Sequence, residues 1–203
     1  MSDPRKTPRR GFLIGVGAAA VTLVAFTAGQ SFGVLSPLNL FGPRRQGAGP
    51  QSLPVNRTAG QAKVASRALD PSWSLKVVDG SLTREYSREQ LLGLRQTDAD
   101  LPIACVEGWS THASWRGVRL RDLLASVRAP SDAEVRLTSL EPKGHYRVTT
   151  MGPEFAQDPR TLVALEVNGE PLDLDHGYPA RIIAPGRPGV LQTKWLSTIE
   201  VVR

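Results

Sequence analysis

Leu101-Pro-Ile-Ala-Cys105-Val-Glu-Gly-Trp-Ser-Thr-His-Ala-Ser-Trp115-Arg-Gly-Val-Arg-Leu-Arg-Asp-Leu-Leu124 holds the chain's single cysteine. Leu101–Val106 has the apolar run of a buried strand, which places Cys105 near a strand end, ahead of a Gly/Trp/Ser loop. Leu120–Val127 follows as a short helix stopped by Pro130. One cysteine excludes an internal disulfide framework, a CxxC redox pair, a CxxCH haem attachment and any multi-cysteine zinc or iron–sulfur site. Two readings of Cys105 remain open. It is a small buried hydrophobe, or it is a thiolate reaching a cavity. A soft thiolate without a second cysteine suits one bond to a metal whose other ligands come from a cofactor. His112, seven residues on, reads as an exposed loop histidine.

Outward from this block the pattern is short strands, turns and few helices. Trp73–Val78 alternates and ends at Asp79-Gly80, a hairpin signal leading into Ser81–Tyr86. Ser87-Arg-Glu-Gln90 is a capping box that starts a short helix running to Leu94. Strands are expected over Glu134–Leu140, His145–Thr150, Leu162–Val167 (ending at Asn168-Gly169), Ala180–Ala184 and Trp195–Val202. No repeat of solenoid or propeller period occurs. The expected class is a β-rich α+β domain.

A second stretch with chemistry is His176-Gly-Tyr-Pro-Ala-Arg181-Ile-Ile-Ala-Pro185-Gly-Arg-Pro-Gly189-Val-Leu-Gln-Thr-Lys194-Trp195. Arg181 opens an apolar strand, and a Gly/Pro loop separates it from Lys194. Two cations flanking such a loop suit a phosphate clamp, one as a planar fork and one as a point charge. Gly189 would let backbone approach a ligand. A surface arginine and a lysine packed on Trp195 fit the same residues.

The N-terminus is a separate matter. The chain carries 25 Lys+Arg against 19 Asp+Glu, but residues 46–203 hold 19 against 18, so the basic excess lies at the front. That argues against nucleic-acid binding by the folded part. Residues 1–10 form a basic arm, and Gly11–Pro43 is free of charge. Residues 11–35 are apolar enough for a spanning helix, which needs roughly 20 residues, with the arm held in the cytoplasm. A cleaved signal peptide is the alternative, although no convincing cleavage site follows. Arg9-Arg10-Gly11-Phe12-Leu13 resembles a twin-arginine export signal. Residues 36–54 are Pro/Gly-rich and read as a tether, extending by composition toward Pro71. The globular domain is expected over 55–203.

Together, Cys-Val-Glu-Gly-Trp with Trp-x-Gly-x-x-Leu-x-x-Leu-Leu, and His-Gly-Tyr-Pro-x-Arg with Pro-Gly and Lys-Trp-Leu, resemble the molybdopterin-binding domain of the sulfite oxidase superfamily. Order and spacing match over residues 55–203. The resemblance implies the sulfite-oxidase-type fold and one molybdenum-molybdopterin cofactor per chain. By position, Cys105 would be the catalytic thiolate on molybdenum. His176, Arg181 and Lys194 would hold the pterin and its phosphate, with Gln192 and Thr193 lending loop contacts. Asn56, within Pro54-Val-Asn-Arg-Thr58, resembles an asparagine that touches the cofactor. Ser139 stands where relatives carry a hydroxyl residue.

The segment after Cys105 resembles the bacterial periplasmic methionine sulfoxide reductase branch rather than the Cys-Ala-Gly-Asn-Arg-Arg of sulfite oxidases. Glu107, Gly108, Trp109 and Ser110 replace cations suited to a dianion, which favours reduction of a neutral S-oxide or N-oxide. A membrane haem or quinone-linked carrier would supply electrons to a membrane-anchored, extracytoplasmic domain. With the chain stopping at Arg203, no family-type dimer is expected. Sulfite oxidation by the same cofactor is an alternative. So is a non-catalytic envelope binding domain, although Cys105, Arg181 and Lys194 are all present. A sortase-like cysteine transpeptidase lacks its Thr-Leu-x-Thr-Cys strand and would need its histidine ahead of the cysteine.

The charge-free stretch predicts that the full-length chain sediments with membranes, with residues 46–203 accessible to protease only from outside the cytoplasm. Recovery in the soluble fraction, or an N-terminus beyond Leu35 by mass spectrometry, would contradict it.

Overall fold

Leu75 and Val77, and across the sheet Val135 and Leu137, are fully buried while their neighbours face outward, the period-two pattern of half-buried strands. The computed structural model describes residues 15–17, 49–104 and 110–202. The chain divides into two compact units, Met1–Arg44 and Arg45–Arg203. In the first, residues 15–17 are helical. The remainder of the expected arm, anchor and early tether lies outside the described residues. Among the described residues no helix is long and apolar enough to cross a membrane.

In the second unit the strands are Ser74–Asp79 (β1), Leu82–Ser87 (β2), Thr97–Ala104 (β3), Ser110–Arg119 (β4), Glu134–Ser139 (β5), Val148–Met151 (β6), Leu162–Val167 (β7), Glu170–Pro171 (β8), Arg181–Ile183 (β9) and Leu196–Val202 (β10). One sheet has the order β2-β1-β10-β5-β6, with β1 and β10 parallel and the other pairs antiparallel. The other runs β3-β4-β7-β8, and β9 also pairs with β7. The β-rich α+β class expected from sequence is the observed one.

β7 ties the two cores together. Its apolar run is buried on both faces, as expected for a strand covered from both sides. Val163 and Leu165 enter a core with Leu75, Val135, Leu137 and Ile199, closed by the helices Arg88–Gly93 and Leu120–Ser126. Leu162, Ala164 and Val167 enter a second core with Leu101, Trp115 and Ile183. The capping box is formed as the sequence indicates: Ser87 Oγ accepts from Gln90 N, and Gln90 Oε1 accepts from Ser87 N at 2.8 Å. Asp79-Gly80 turns β1 into β2 with Gly80 at φ 57°, and Asn168-Gly169 turns β7 into β8 at φ 53° and 82°.

Three expectations need correction. The segment after Trp109 is strand β4 from Ser110 rather than loop, so His112 is exposed on a strand opposite Pro102. The inward positions are Ala113, Trp115 and Gly117, two of them too small to register as apolar alternation. The tether also ends early. Leu53 is 3% exposed, Gln51 Nε2 donates to Pro171 O, and Asn168 Nδ2 donates to Gln51 O. Short helices Ala59–Ala62 and Ala65–Ala68 follow, the first opened by a Thr58/Gln61 capping box. Finally, β6 begins at Val148, because residues 142–147 form a turn and an irregular stretch.

At Gly117, where the β4–β7 register shifts, a Cβ would overlap the carbonyl oxygen of Val163 and stand 2.7 Å from Ala164 Cα. Both obstacles are backbone. Gly117→Ala is expected to cost about 1–3 kcal/mol or more by urea unfolding, whereas Gly93→Ala, with nothing within 4 Å of its Cβ, should cost nothing.

Candidate cofactor-binding site

Both sheets contribute to one cavity that is open to solvent. Asn56, Ser139, His176, Arg181, Gln192, Thr193 and Lys194 all line it. Residues 137 positions apart in sequence therefore share one wall: Lys194 Nζ donates to Arg57 O. Cys105 lies outside the described residues. β3 delivers Ile103 to the cavity wall and is described as far as Ala104.

Two cations dominate the electrostatics. Arg181 at the start of β9 is 3% exposed, with Nη1 donating to His176 O at 3.0 Å and its guanidinium 5.0 Å from the Trp115 ring centroid. Burial pulls its pKa down to about 10. Lys194 Nζ donates to Arg57 O at 2.6 Å and Asp175 O at 2.9 Å and stands 4.6 Å from the Trp195 ring centroid. Burial, reinforced by the Arg181 charge, pulls its pKa to about 7. Among the described residues, neither cation has a carboxylate within ion-pair distance.

The backbone is shaped around this pair. Gly177, at φ 110°, lies between them, and a Cβ there would stand 3.1 Å from Arg181 Cβ and 3.2 Å from Lys194 Cβ. Trp195 adopts φ 51°, uncommon for a bulky residue. It is held there because Nε1 donates to Leu174 O at 2.7 Å and its carbonyl accepts from Leu140 N at 2.7 Å.

The neighbours divide by what they hold. His176 is buried, and Nε2 donates to Pro50 O at 2.8 Å. Burial lowers its pKa, which keeps the ring neutral. Ser139 Oγ donates to Lys194 O at 2.8 Å, so its proton positions the lysine loop. Thr193 Oγ1 pairs with Thr149 Oγ1 at 3.0 Å. Gln192 Nε2 donates to Arg187 O at 2.8 Å, while its buried Oε1 has no hydrogen-bond partner among the described residues. Glu141 and Arg57 were not singled out from sequence. They form an ion pair of 2.6 Å on the wall, and burial raises the Glu141 pKa against the opposing effects of Arg57 and Lys194. Arg57 adjoins Asn56 in the quoted motif, which was the available signal. Glu141, just past the end of β5, had none.

Desolvated cations with no carboxylate at ion-pair distance, plus an acceptor with no hydrogen-bond partner among the described residues, define a domain that holds an anionic, hydrogen-bond-donating cofactor. The sequence model described as oxidoreductase molybdopterin binding domain matches residues 61–203, and the chain belongs to that family. Similar proteins include mitochondrial sulfite oxidase of Mus musculus, 38% identical over 96 residues, covering 44% of this chain and 18% of that protein. NADPH nitrate reductase of Fusarium oxysporum is 37% identical over 103 residues, covering 47% and 11%. The chain thus spans under a fifth of the length of these relatives. The sulfane dehydrogenase SoxCD of Paracoccus pantotrophus shares the fold at a TM-score of 0.57 and 22% identity, over 64% of this chain and 38% of that one. The cofactor of this molybdopterin-binding oxidoreductase domain is molybdenum-molybdopterin, and the cavity's chemistry fits it. A phosphate would neutralise Arg181 and Lys194, and a pterin N–H would satisfy Gln192 Oε1.

Lys194 also sets a pH dependence. Its folded pKa of about 7 lies below the ordinary 10.5. Between these values the unfolded chain binds a proton that the folded chain lacks, so stability of the cofactor-free protein rises with pH from about 7 toward 10. His176, with its lowered pKa, makes stability fall further as pH drops below 6.5. Urea unfolding at pH 7 and 9 should show the first rise, and Lys194→Met should flatten it.

Proposed function

We propose that the chain is a membrane-anchored, extracytoplasmic oxidoreductase that removes an oxygen atom from a small neutral S-oxide or N-oxide, in the manner of the bacterial branch it resembles. The single observation behind the cofactor half of this reading is the pair of a buried Arg181 and a half-buried Lys194, neither with a carboxylate at ion-pair distance among the described residues. The substrate half rests on chemistry beside Cys105. The wall residues from β3 and β4 are Ile103 and Trp115, and the sequence after Cys105 reads Val-Glu-Gly-Trp-Ser. Apolar and aromatic groups suit a neutral oxide better than a dianion.

When bound, the molybdenum cofactor supplies two-electron oxygen-atom transfer. Cys105 gives the one protein thiolate. Arg181 and Lys194 hold the phosphate, with Gln192 and Thr193 beside it. Neutral His176, fixed by Pro50, sets the loop that carries Arg181, and Ser139 fixes Lys194 through its carbonyl. Ile103 and Trp115 give the wall apolar surface. Reduction of an S-oxide consumes two protons and two electrons and releases the sulfide and water. The electrons come from a membrane haem or quinone-linked carrier, and the twin-arginine-like start supports export of an already folded, cofactor-loaded domain. Sulfite oxidation is the second reading, favoured by 36–38% identity to sulfite oxidases and by Arg57 on the wall.

In protein from a cofactor-competent host, Cys105→Ser should lower turnover by more than about 100-fold, beyond the usual loss of an outer-shell partner, while pterin remains extractable. Arg181→Ala should lose the pterin itself, since unpairing a buried charge costs about 3–5 kcal/mol; pterin fluorescence after extraction measures this. A panel of sulfoxides, N-oxides and sulfite with artificial donors and acceptors decides direction. Brisk sulfite-dependent acceptor reduction without oxide turnover would replace the first reading by the second.

A further inference from the structure

Three arginines converge on two residues at the cavity rim. Arg57 pairs with the Glu141 carboxylate at 2.6 Å, Arg67 Nη1 donates to Leu140 O at 2.9 Å, and Arg147 Nε donates to Glu141 O at 2.8 Å. Lys143, exposed, stands in the turn that follows. Glu141 is buried and already paired with Arg57, which leaves Arg67, Lys143 and Arg147 as a cluster of positive charge at this surface. Residues 46–203 carry 19 positive and 18 negative side chains, which makes this concentration a local feature. Two of the large hydrophobics exposed among the described residues, Tyr146 and Val148, flank Arg147. Tyr146 also lines the cavity, so the patch is continuous with its mouth. Tyrosine and arginine around an apolar side chain are the groups that dominate protein–protein binding energy.

We infer that this rim docks the acidic face of a redox partner protein, with Arg67, Lys143 and Arg147 as the charge contacts and Tyr146 as the apolar anchor. The inference rests on the oxidoreductase reading above. Removal of an oxygen atom from an oxide requires two electrons from outside the reacting pair. A carrier seated over the mouth is oxidised one electron at a time as the buried site is reduced. Rim charges act mainly on encounter rate and its salt dependence.

The test uses cofactor-loaded full-length chain in native membranes of the source organism. Oxide turnover is driven by the membranes' own reduced carriers or by reduced methyl viologen. Lys143→Glu combined with Arg67→Glu should slow membrane-driven turnover by about ten-fold or more and leave viologen-driven turnover unchanged, since neither residue lines the cavity. Lys143→Arg should keep the membrane-driven rate. Carbodiimide should join wild-type Lys143 to an Asp or Glu of a haem- or flavin-bearing protein, and Lys143→Arg should lose that cross-link. An unchanged membrane-driven rate in the double variant, an equal fall with both donors, or cross-linking of Lys143 to lipid carboxylates alone would overturn the docking surface. Absence of viologen-driven oxide turnover in the wild type would instead count against the functional reading itself.

Discussion

An arginine and a lysine withdrawn from water, with no carboxylate at ion-pair distance among the described residues, are the constraint around which this domain is organised. Taking one such charge out of water costs several kcal/mol after relaxation, and here the cost is met by carbonyls and rings. His176, Asp175 and Arg57 turn their backbone oxygens toward the cations, and Trp115 and Trp195 lie alongside. Gly177 is the residue that lets the chain pass between them. Such a site is incomplete by itself and complementary to a phosphate, which is what a molybdopterin-binding domain must recognise.

β7 makes that arrangement possible. Because it is buried on both faces, it fixes β4 on one edge and β9 on the other. β4 brings Trp115 to the cavity and β9 brings Arg181, so the ring and the guanidinium meet through strands positioned by the same apolar run. The other sheet supplies Ser139 at the end of β5, and its hydroxyl anchors Lys194 ahead of β10. The N-terminal segment closes the same space. Pro50 orients His176, Gln51 ties to the chain at Pro171 and Asp173, and Arg57 reaches Glu141.

The cavity therefore has a polar floor and a mixed rim. At the floor the cations are desolvated and their pKa values depressed by burial. At the rim the arginines keep access to water. These settings separate the roles proposed for them: binding an anion permanently, and meeting a partner transiently. Ile103 of β3 and Trp115 of β4 add apolar surface to the same cavity.

Much of the fold was legible because its signals are local. The Asp79-Gly80 and Asn168-Gly169 turns and the Ser87–Gln90 capping box depend on backbone geometry and hydrogen bonds within a few residues. Thr58-Ala-Gly-Gln61 carried the same capping signature inside a stretch that composition marked as tether. β4 was missed because its inward face uses Ala113 and Gly117, whose small size answers to β7 and Val163 rather than to any local pattern. By itself the sequence determined the turns, the caps, the β-rich class and the residue types of the two motifs, since each rests on short-range chemistry. The tertiary structure alone decided that Asn56, Ser139, His176 and Lys194 share one cavity, that Glu141 and Arg57 belong to it, and that no carboxylate among the described residues reaches ion-pair distance of Arg181 or Lys194. The burial of a charge depends on what packs around it, and those neighbours come from opposite ends of the domain.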